Sequence, residues 1–502
     1  MGKMDYYKIG FLLLIPLLIF FPLFNTTYFY TDEITQLWFY GKDPSFAMFV
    51  PQGRFLNHIL FRTLYGAIDT IAQLQRLRLF ALAGWLLSIP AWYKILSRVS
   101  RDEGLPPQLP FLAVLYLTTS LPFSISIQWA ACMELFIANT CGLLAGYFVY
   151  RYERWGWIPA FLLGLVSLFF YQNGFGCYLL PFFLQFVVRQ TVSRKLLRPL
   201  LIYFSVYLVY FLLFKTGLHA LYHVDAVERT ALAGNPLNKL LYLLGKVLPG
   251  AFYFNVVVQE SAIAGRIVYL LIAGGCLFAS CWWLSRSTGK DIGQLFRYAL
   301  TLLAAFIGIY LPSMIVRENY ASNRTLLALD MAVFLWVFVS LLRIIPKENW
   351  RTTLFVLAGL GFAGIGWNNF RNIFLRPATD EYVALRTFMD NNYNSNIVTI
   401  DYIRSSEDQV RKFYHLSSSW DEYGFSSSYF AWVPESVTRQ LVYERTGSRA
   451  VAEKLQIRVW ASRQAWQTFG LQETKGELLI DAPALLSGSI PGTEGINVAA
   501  EK

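Results

Sequence analysis

Charge is what this sequence has least of. Asp, Glu, Lys and Arg make up 15% of its 502 residues, where ordinary soluble domains carry about 25%. That scarcity excludes a set of water-soluble domains, and it coincides with 55% hydrophobic and 17% aromatic residues. Cysteine motifs are missing too. Cys132, Cys141, Cys177, Cys276 and Cys281 lie in or near apolar runs and none forms a CxxC. Neither a disulfide framework nor a zinc site is indicated, and buried packing is the default. No Gly-rich phosphate loop or dinucleotide fingerprint occurs in context. No repeat of fixed period and no low-complexity segment is visible.

What is present is a succession of apolar runs. They fall at about 8–24, 77–95, 108–127, 136–150, 157–171, 175–188, 199–215, 263–285, 296–315, 323–343 and 352–368, about eleven candidate spans. Those around the break QNGFG at 172–176 are short enough to be bent or re-entrant. The first run follows Lys3 and Lys8 as a signal peptide would, but it continues into FNTTYFY without a small-residue cleavage site. It reads as a retained span.

The net charge of +11 is concentrated in short loops such as KILSRVSRDEG, RYERWG, RQTVSRKLLR and RIIPKENWR. Loops of this kind mark the cytoplasmic side and meet anionic lipid, which argues against nucleic acid as a partner. The expected fold is an α-helical polytopic membrane protein over 1–370, with long external loops at 25–76 and 216–262. An odd number of spans puts the tail, 371–502, outside as well. The tail turns polar, with strand-like NIVTID and helix-like SVTRQLVYERTG, and reads as a small mixed α/β domain over 375–485. The last residues look frayed.

The first external loop, YFYTDEITQLWFYGKDPSFAMFVPQGRFLNHILFRTL, reads as two amphipathic helices, 31–48 and 54–66. Asp32 and Glu33 open the first, with Thr31 available as a cap. An acidic pair there offsets the helix dipole, which is the plain account of it. Arg54, His58 and Arg62 recur at i, i+4 and i+8 on one face of the second, where the plain account is contact with lipid phosphate. Taken with Tyr28, Tyr30, Trp38 and Tyr40, the loop carries the equipment for a phosphorylated lipid with a sugar head.

This order resembles the GT-C superfamily of polytopic glycosyltransferases: a first span, an external loop opening on an acidic pair with Gly53-Arg54 after it, further spans, and an external C-terminal domain. Within it the serotype-converting O-antigen glucosyltransferases look nearest. Protein O-mannosyltransferases and aminoarabinose transferases are also similar. The resemblance implies transfer of a sugar from a polyprenyl-phosphate or diphosphate donor to an extracytoplasmic hydroxyl on a glycolipid, polysaccharide or protein. Such chemistry needs a base for the acceptor proton and positive charge, or a metal, where phosphate charge develops. By resemblance Asp32 is the base, and the contact for a divalent ion such as Mg or Mn where one is used. Glu33 would orient Asp32 or bind the acceptor.

Donor phosphate has several candidates. They are Arg54 and His58, then Arg317 and Arg324 beside Tyr320 in the loop RENYASNR, then Lys239. Arginine suits phosphate through its planar fork, and for each residue the plain account is headgroup contact or a local ion pair. Glu134 and Asn173, at external span ends, are substrate-side candidates. Asp330 lies deeper and reads as a hydrogen bond within the bundle. His219 and His223, at i and i+4 near Asp225, have metal-ligand spacing, although such a pair more often caps or packs. Trp420, Asp421 and Glu422 read as a polar turn, with acceptor contact as the sharper option. The expected location is a bacterial cytoplasmic membrane with the site facing the periplasm. Two other functions fit the topology less closely. One is a lipid-linked oligosaccharide polymerase or ligase. The other is a lipid or polysaccharide transporter, which would collect ionisable residues near the midplane, often with repeats.

Overall fold

A computed structural model describes residues 3–191, 196–217, 231–259, 262–288, 292–345, 347–469 and 476–488. Helix α1 (Lys3–Phe20) is followed by two short helices, α2 (Asp32–Lys42) and α3 (Phe55–Tyr65). Next come α4 (Leu74–Asp102), the pair α5 (Gln108–Thr119) and α6 (Leu121–Gln128), and α7 (Leu135–Arg151). They are followed by α8 (Trp157–Phe170), α9 (Leu180–Arg189) and α10 (Leu197–Gly217). The short α11 (Pro236–Tyr242) and α12 (Leu248–Phe252) precede α13 (Ile263–Thr288), α14 (Ile292–Ile309), α15 (Leu311–Ile315), α16 (Asn323–Ile344) and α17 (Glu348–Asn368).

Seven helices among the described residues are long and apolar enough to cross a membrane, or eight if α5 and α6, bent by 45°, count as one. Helices α8 and α14 are apolar but shorter, and α9 has 10 residues. The eleven expected spans are therefore not all helices of span length, because the chain breaks some of them. Ser120 is extended between α5 and α6 with a proline just after it, where the ring removes a backbone donor. The QNGFG segment forms a 3-10 helix, Gln172–Leu179, instead of joining α8 to α9.

Burial follows sequence pattern. Helix α16 is apolar all round and 94% of its best window is buried, so it forms the centre of the bundle. Only 22% of the corresponding window of α13 is buried, leaving it to face lipid. Gly142 and Gly146 on α7 let the broken segment pack closely: a Cβ at these positions would meet Gly174 O at 2.4 Å and Tyr178 O at 2.1 Å. This is close backbone packing of the small-xxx-small kind.

The basic loops and the first external loop lie at opposite ends. At one end Arg189 pairs with Glu103 at 2.7 Å, and Arg343 donates to Val187 O and Val188 O at 2.7 and 2.8 Å. At the other, α2 and α3 meet the tail. Helix α17 continues through Asn369–Leu375 into α18 (Arg376–Asn392) without a break, so the expected division at 370/371 falls within one helix. Strands β1 (Thr399–Ile403), β2 (Gln456–Trp460) and β3 (Glu477–Asp481) form a parallel sheet in the order β2-β1-β3. Helices α19 (Glu407–Phe413) and α20 (Val433–Thr446) lie between β1 and β2 in the chain. Ile34, Leu37 and Phe61 of the first loop share one buried core with Leu385, Ile400, Val437 and Ile480 of the tail.

Candidate functional site

The acidic pair divides. Glu33 is fully buried. Its Oε1 accepts from Tyr30 N at 2.6 Å and pairs with Arg78, and its Oε2 accepts from Ala130 N at 2.7 Å. Arg78 is itself buried, lies 3.5 Å over the Tyr28 ring and donates to Tyr28 O at 3.0 Å. Burial pushes the Glu33 carboxyl above its ordinary range, while Arg78 and the two backbone N–H groups pull it back. Both oxygens are occupied, which corrects the expectation that Glu33 meets an acceptor. It is a tie between the loop, α4 and the turn before α7.

Asp32 is only partly buried, and its Oδ1 accepts from the indole of Trp432 at 2.9 Å. Thr31 does not cap α2. It sits at φ 36°, ψ −117°, makes no capping bond, and its hydroxyl has no partner among the described residues. A β-branched residue held there stores about 1–3 kcal/mol of strain, and such strain gathers at functional sites. The tail holds it, since Ser427 Oγ accepts from Thr31 N at 3.3 Å and donates to Phe29 O at 3.2 Å.

Beside this loop is a second polar cluster, of arginines and aromatic rings about a buried glutamate. Arg54, just before α3, lies 4.4 Å over the Tyr171 ring, and its Nε donates to Gln172 Oε1 at 3.3 Å. Gln172 is held in turn by Gln52 O and Tyr210, both at 2.8 Å. Arg324, in the first turn of α16, lies 5.0 Å from the Trp129 ring and donates to the Tyr320 hydroxyl at 3.1 Å. Both guanidinium groups act electrostatically on Glu134 and on Tyr171. Glu134 is buried, and among the described residues its Oε2 has no hydrogen-bond partner. The indole N–H of Trp129 has none either. Trp129 adjoins Ala130, which Glu33 fixes, and its ring stands edge-on to Tyr30 at 5.8 Å.

A carboxyl pair from the tail lies beside Arg324. Asp421 accepts from Asn323 N at 2.6 Å, and Glu422 accepts from Ser322 Oγ at 2.6 Å and Asn323 Nδ2 at 3.3 Å. Negative charge at the N-terminus of α16 is favourable. Tyr30 donates to Glu422 O at 2.7 Å. Burial, with the Glu422 carboxylate beside it, pushes Asp421 well above its ordinary range. Trp420–Glu422 do form a turn, closed by mutual backbone bonds between Trp420 and Tyr423, but its carboxyls bond to the start of α16, with Glu422 buried and Trp420 and Asp421 half-buried.

The other candidates separate. His58 Nδ1 contacts Phe46 O at 3.1 Å, and with Arg62, Tyr40 and Thr63 it lines a cleft of about 410 Å³ that does not include Arg54. The Arg–His–Arg stripe is thus not one surface. Lys239 donates to Ser313 O at 3.2 Å and Glu318 O at 2.8 Å, and burial lowers its ammonium pKa. It clamps a turn rather than facing a phosphate. Asn173 donates to Ser313 Oγ at 2.9 Å. Arg317 is exposed, on a backbone bridge with residues 231–233. His219, His223 and Asp225 lie outside the described residues.

Among the described residues no group of three or more His, Cys, Asp or Glu is placed to hold a metal ion. The described partner of the Asp32 carboxylate is an indole, so the residues present do not fit the expected Mg or Mn site. Sequence reasoning missed Arg78, Trp432 and Trp129, and it singled out Asp421 and Glu422 without their bonds to α16. Only Arg78 left a signal, an arginine within an apolar run. No family model, curated protein or solved structure matches the chain.

Proposed function

We propose that the chain is a polytopic membrane glycosyltransferase that moves a sugar from a polyprenyl-phosphate donor to an extracytoplasmic hydroxyl. On this reading the chain crosses a bacterial cytoplasmic membrane eleven times, with the shorter α8, α9 and α14 counted, and the Lys- and Arg-rich loops favour a cytoplasmic N-terminus with the tail outside. The observation that carries the reading is the convergence of Arg54 and Arg324 on the buried, part-unpartnered Glu134 under aromatic walls. Two guanidinium groups from distant elements supply forks for a phosphate. Tyr171, Trp129 and Tyr320 offer faces for a sugar or the lipid's first unit.

In the reaction, the acceptor oxygen bonds to the anomeric carbon, and the bond from that carbon to phosphate oxygen breaks. The electron pair leaves on the lipid phosphate, where Arg54 and Arg324 meet the developing charge. The acceptor's proton passes to Asp32. Glu33, tied to Arg78 and Ala130, fixes the direction in which Asp32 points. The Trp432 indole and the strained Thr31 hold the carboxylate at the junction of loop and tail.

The test is reconstitution in liposomes with a polyprenyl-phosphate sugar of the host envelope. Asp32→Asn should insert normally and lose transfer about 10²–10⁴-fold, the usual range for general base catalysis. Full transfer by a normally inserted Asp32→Asn protein would remove Asp32 from the reaction. Movement of the donor across the bilayer without transfer would favour the transporter.

A further inference from the structure

Glu134 has no place in the reaction just described, yet it is buried within the electrostatic reach of both Arg54 and Arg324. It is 1% exposed, its own backbone N–H supplies one hydrogen bond, and among the described residues Oε2 has no partner. Arg54 and Arg324 act on it, but their described side-chain hydrogen bonds to other elements go to Gln172 and Tyr320. A buried carboxylate without direct arginine bonds is poorly compensated. It feels both cations, as a bound phosphate would need to.

We propose that Glu134 is an internal stand-in for the substrate anion, holding Arg54 and Arg324 while no phosphate is bound and taking up one proton from the medium when a phosphate monoester binds. The proposal rests on reading this cluster as a phosphate site and adds a linkage that the reading does not require.

The charges facing Glu134 make the linkage necessary. Arg54 comes from before α3 and Arg324 from α16. Cys132 and Tyr171 lie against the same arginines as neutral groups. Asp421 and Glu422 come from the tail and act on Arg324 and Cys132 respectively. Tyr320 is bonded to Arg324. Glu33 and Arg78, from α2 and α4, neutralise each other. Asp330 lies deeper along α16 and faces Tyr116.

Two arginines act on Glu134, and the Asp421–Glu422 carboxyls already lie beside one of them, Arg324. A phosphate monoester brings a charge of about −1.5 to −2 near neutral pH. In a buried site of low effective dielectric, that charge and ionised Glu134 repel strongly. A proton on Glu134 removes the repulsion and leaves a carboxylic acid that can donate to a phosphate oxygen.

The linkage is measurable without turnover. Farnesyl phosphate is titrated into the full-length protein in detergent by calorimetry, in two buffers of different ionisation enthalpy, between about pH 7.5 and 9. There the ligand, with a second pKa near 6, is fully ionised, so any proton taken up enters the protein. Wild type should take up about one proton per ligand, with affinity falling up to about tenfold per pH unit. Glu134→Gln should take up none, lose the pH dependence and bind about tenfold tighter at the alkaline end.

Methyl phosphate separates the sources of the anion. Equal proton uptake with weaker binding assigns the linkage to phosphate alone, whereas uptake with farnesyl phosphate only overturns that assignment to the cluster's charges. Zero uptake by wild type overturns the proposal even where the variant fails to fold. Undiminished uptake by Glu134→Gln overturns it as well. Binding that survives both Arg54→Ala and Arg324→Ala unchanged would instead show that the phosphate reading itself is wrong, and the proposal would fall with it.

Discussion

Two clusters at the outer end of the bundle use the same ingredients, a buried glutamate, arginine and aromatic rings, and end up with opposite properties. In the first, Glu33 has both oxygens bonded, and Arg78 adds Tyr28 O and the Tyr28 ring to its carboxylate partner. In the second, Glu134 keeps an oxygen without a partner among the described residues, while Arg54 and Arg324 bond to other elements. In the first cluster the carboxylate is fully bonded, although Arg78 Nε and Nη1 have no partner among the described residues; in the second it is the carboxylate that keeps an oxygen without one. A buried acceptor left unsatisfied is a place to expect a donor from a ligand or water. The difference teaches that an acid–arginine pair near a membrane surface is not a site by composition.

The comparison is broken most sharply at Arg78. Arg78→Met leaves Glu33 buried and unpaired, which should cost about 3–5 kcal/mol. Thermal unfolding in detergent should show the loss, or no folded protein should be recovered. The double variant with Glu33→Gln should recover part of it, because no buried charge then remains unpaired. Arg324→Ala is the matching change in the second cluster. It removes a charged hydrogen-bond donor worth about 1.5–3 kcal/mol, read as a roughly tenfold to hundredfold loss of farnesyl phosphate affinity. Its melting temperature should move far less than that of Arg78→Met. Equal losses of stability in the two variants would mean that both clusters are structural.

The bundle was legible because apolar runs declare themselves, and α16, apolar on every side, could only be central. The number of full-length helices was not, since one extended serine and two glycines convert apparent spans into bent or 3-10 segments. Arg54, Arg324 and Glu134 were visible singly as polar groups at span ends. Their convergence was not, since it joins residues from positions 54, 134 and 324. His58 and Lys239 look in sequence like phosphate binders, and only the structure reveals carbonyls against both. Asp32 meets Trp432 across 400 residues of chain, beyond any local pattern. The Asp421–Glu422 turn misled because its polar neighbours described a surface, whereas Tyr423 and Trp420 pack it against the core of the bundle.

Asp421 sharpens the comparison through pH. Its folded-state pKa is raised, by burial first and by Glu422 second. A group raised in this way contributes stability that is complete below the ordinary carboxylate range and is lost as pH rises through the folded value. Asp421→Asn keeps an acceptor for Asn323 N but never ionises. Its melting temperature should fall less steeply than that of wild type as pH rises above about 4. Parallel curves for the two proteins would mean that folding does not raise the Asp421 pKa.

Arg317 gives the smallest effect and sets the edge of the second cluster. It stands seven residues before Arg324 in the same loop, and in sequence the two are equally good phosphate ligands. Arg317 is exposed on the bridge to residues 231–233, whereas Arg324 reaches Trp129, Tyr320 and the field of Glu134. A cation in water loses most of its reach to screening, so Arg317→Ala should change farnesyl phosphate affinity less than about twofold at physiological ionic strength. A tenfold loss would instead extend the anion's path outward along residues 317–324. The cluster would then be the inner half of a longer, diphosphate-sized site.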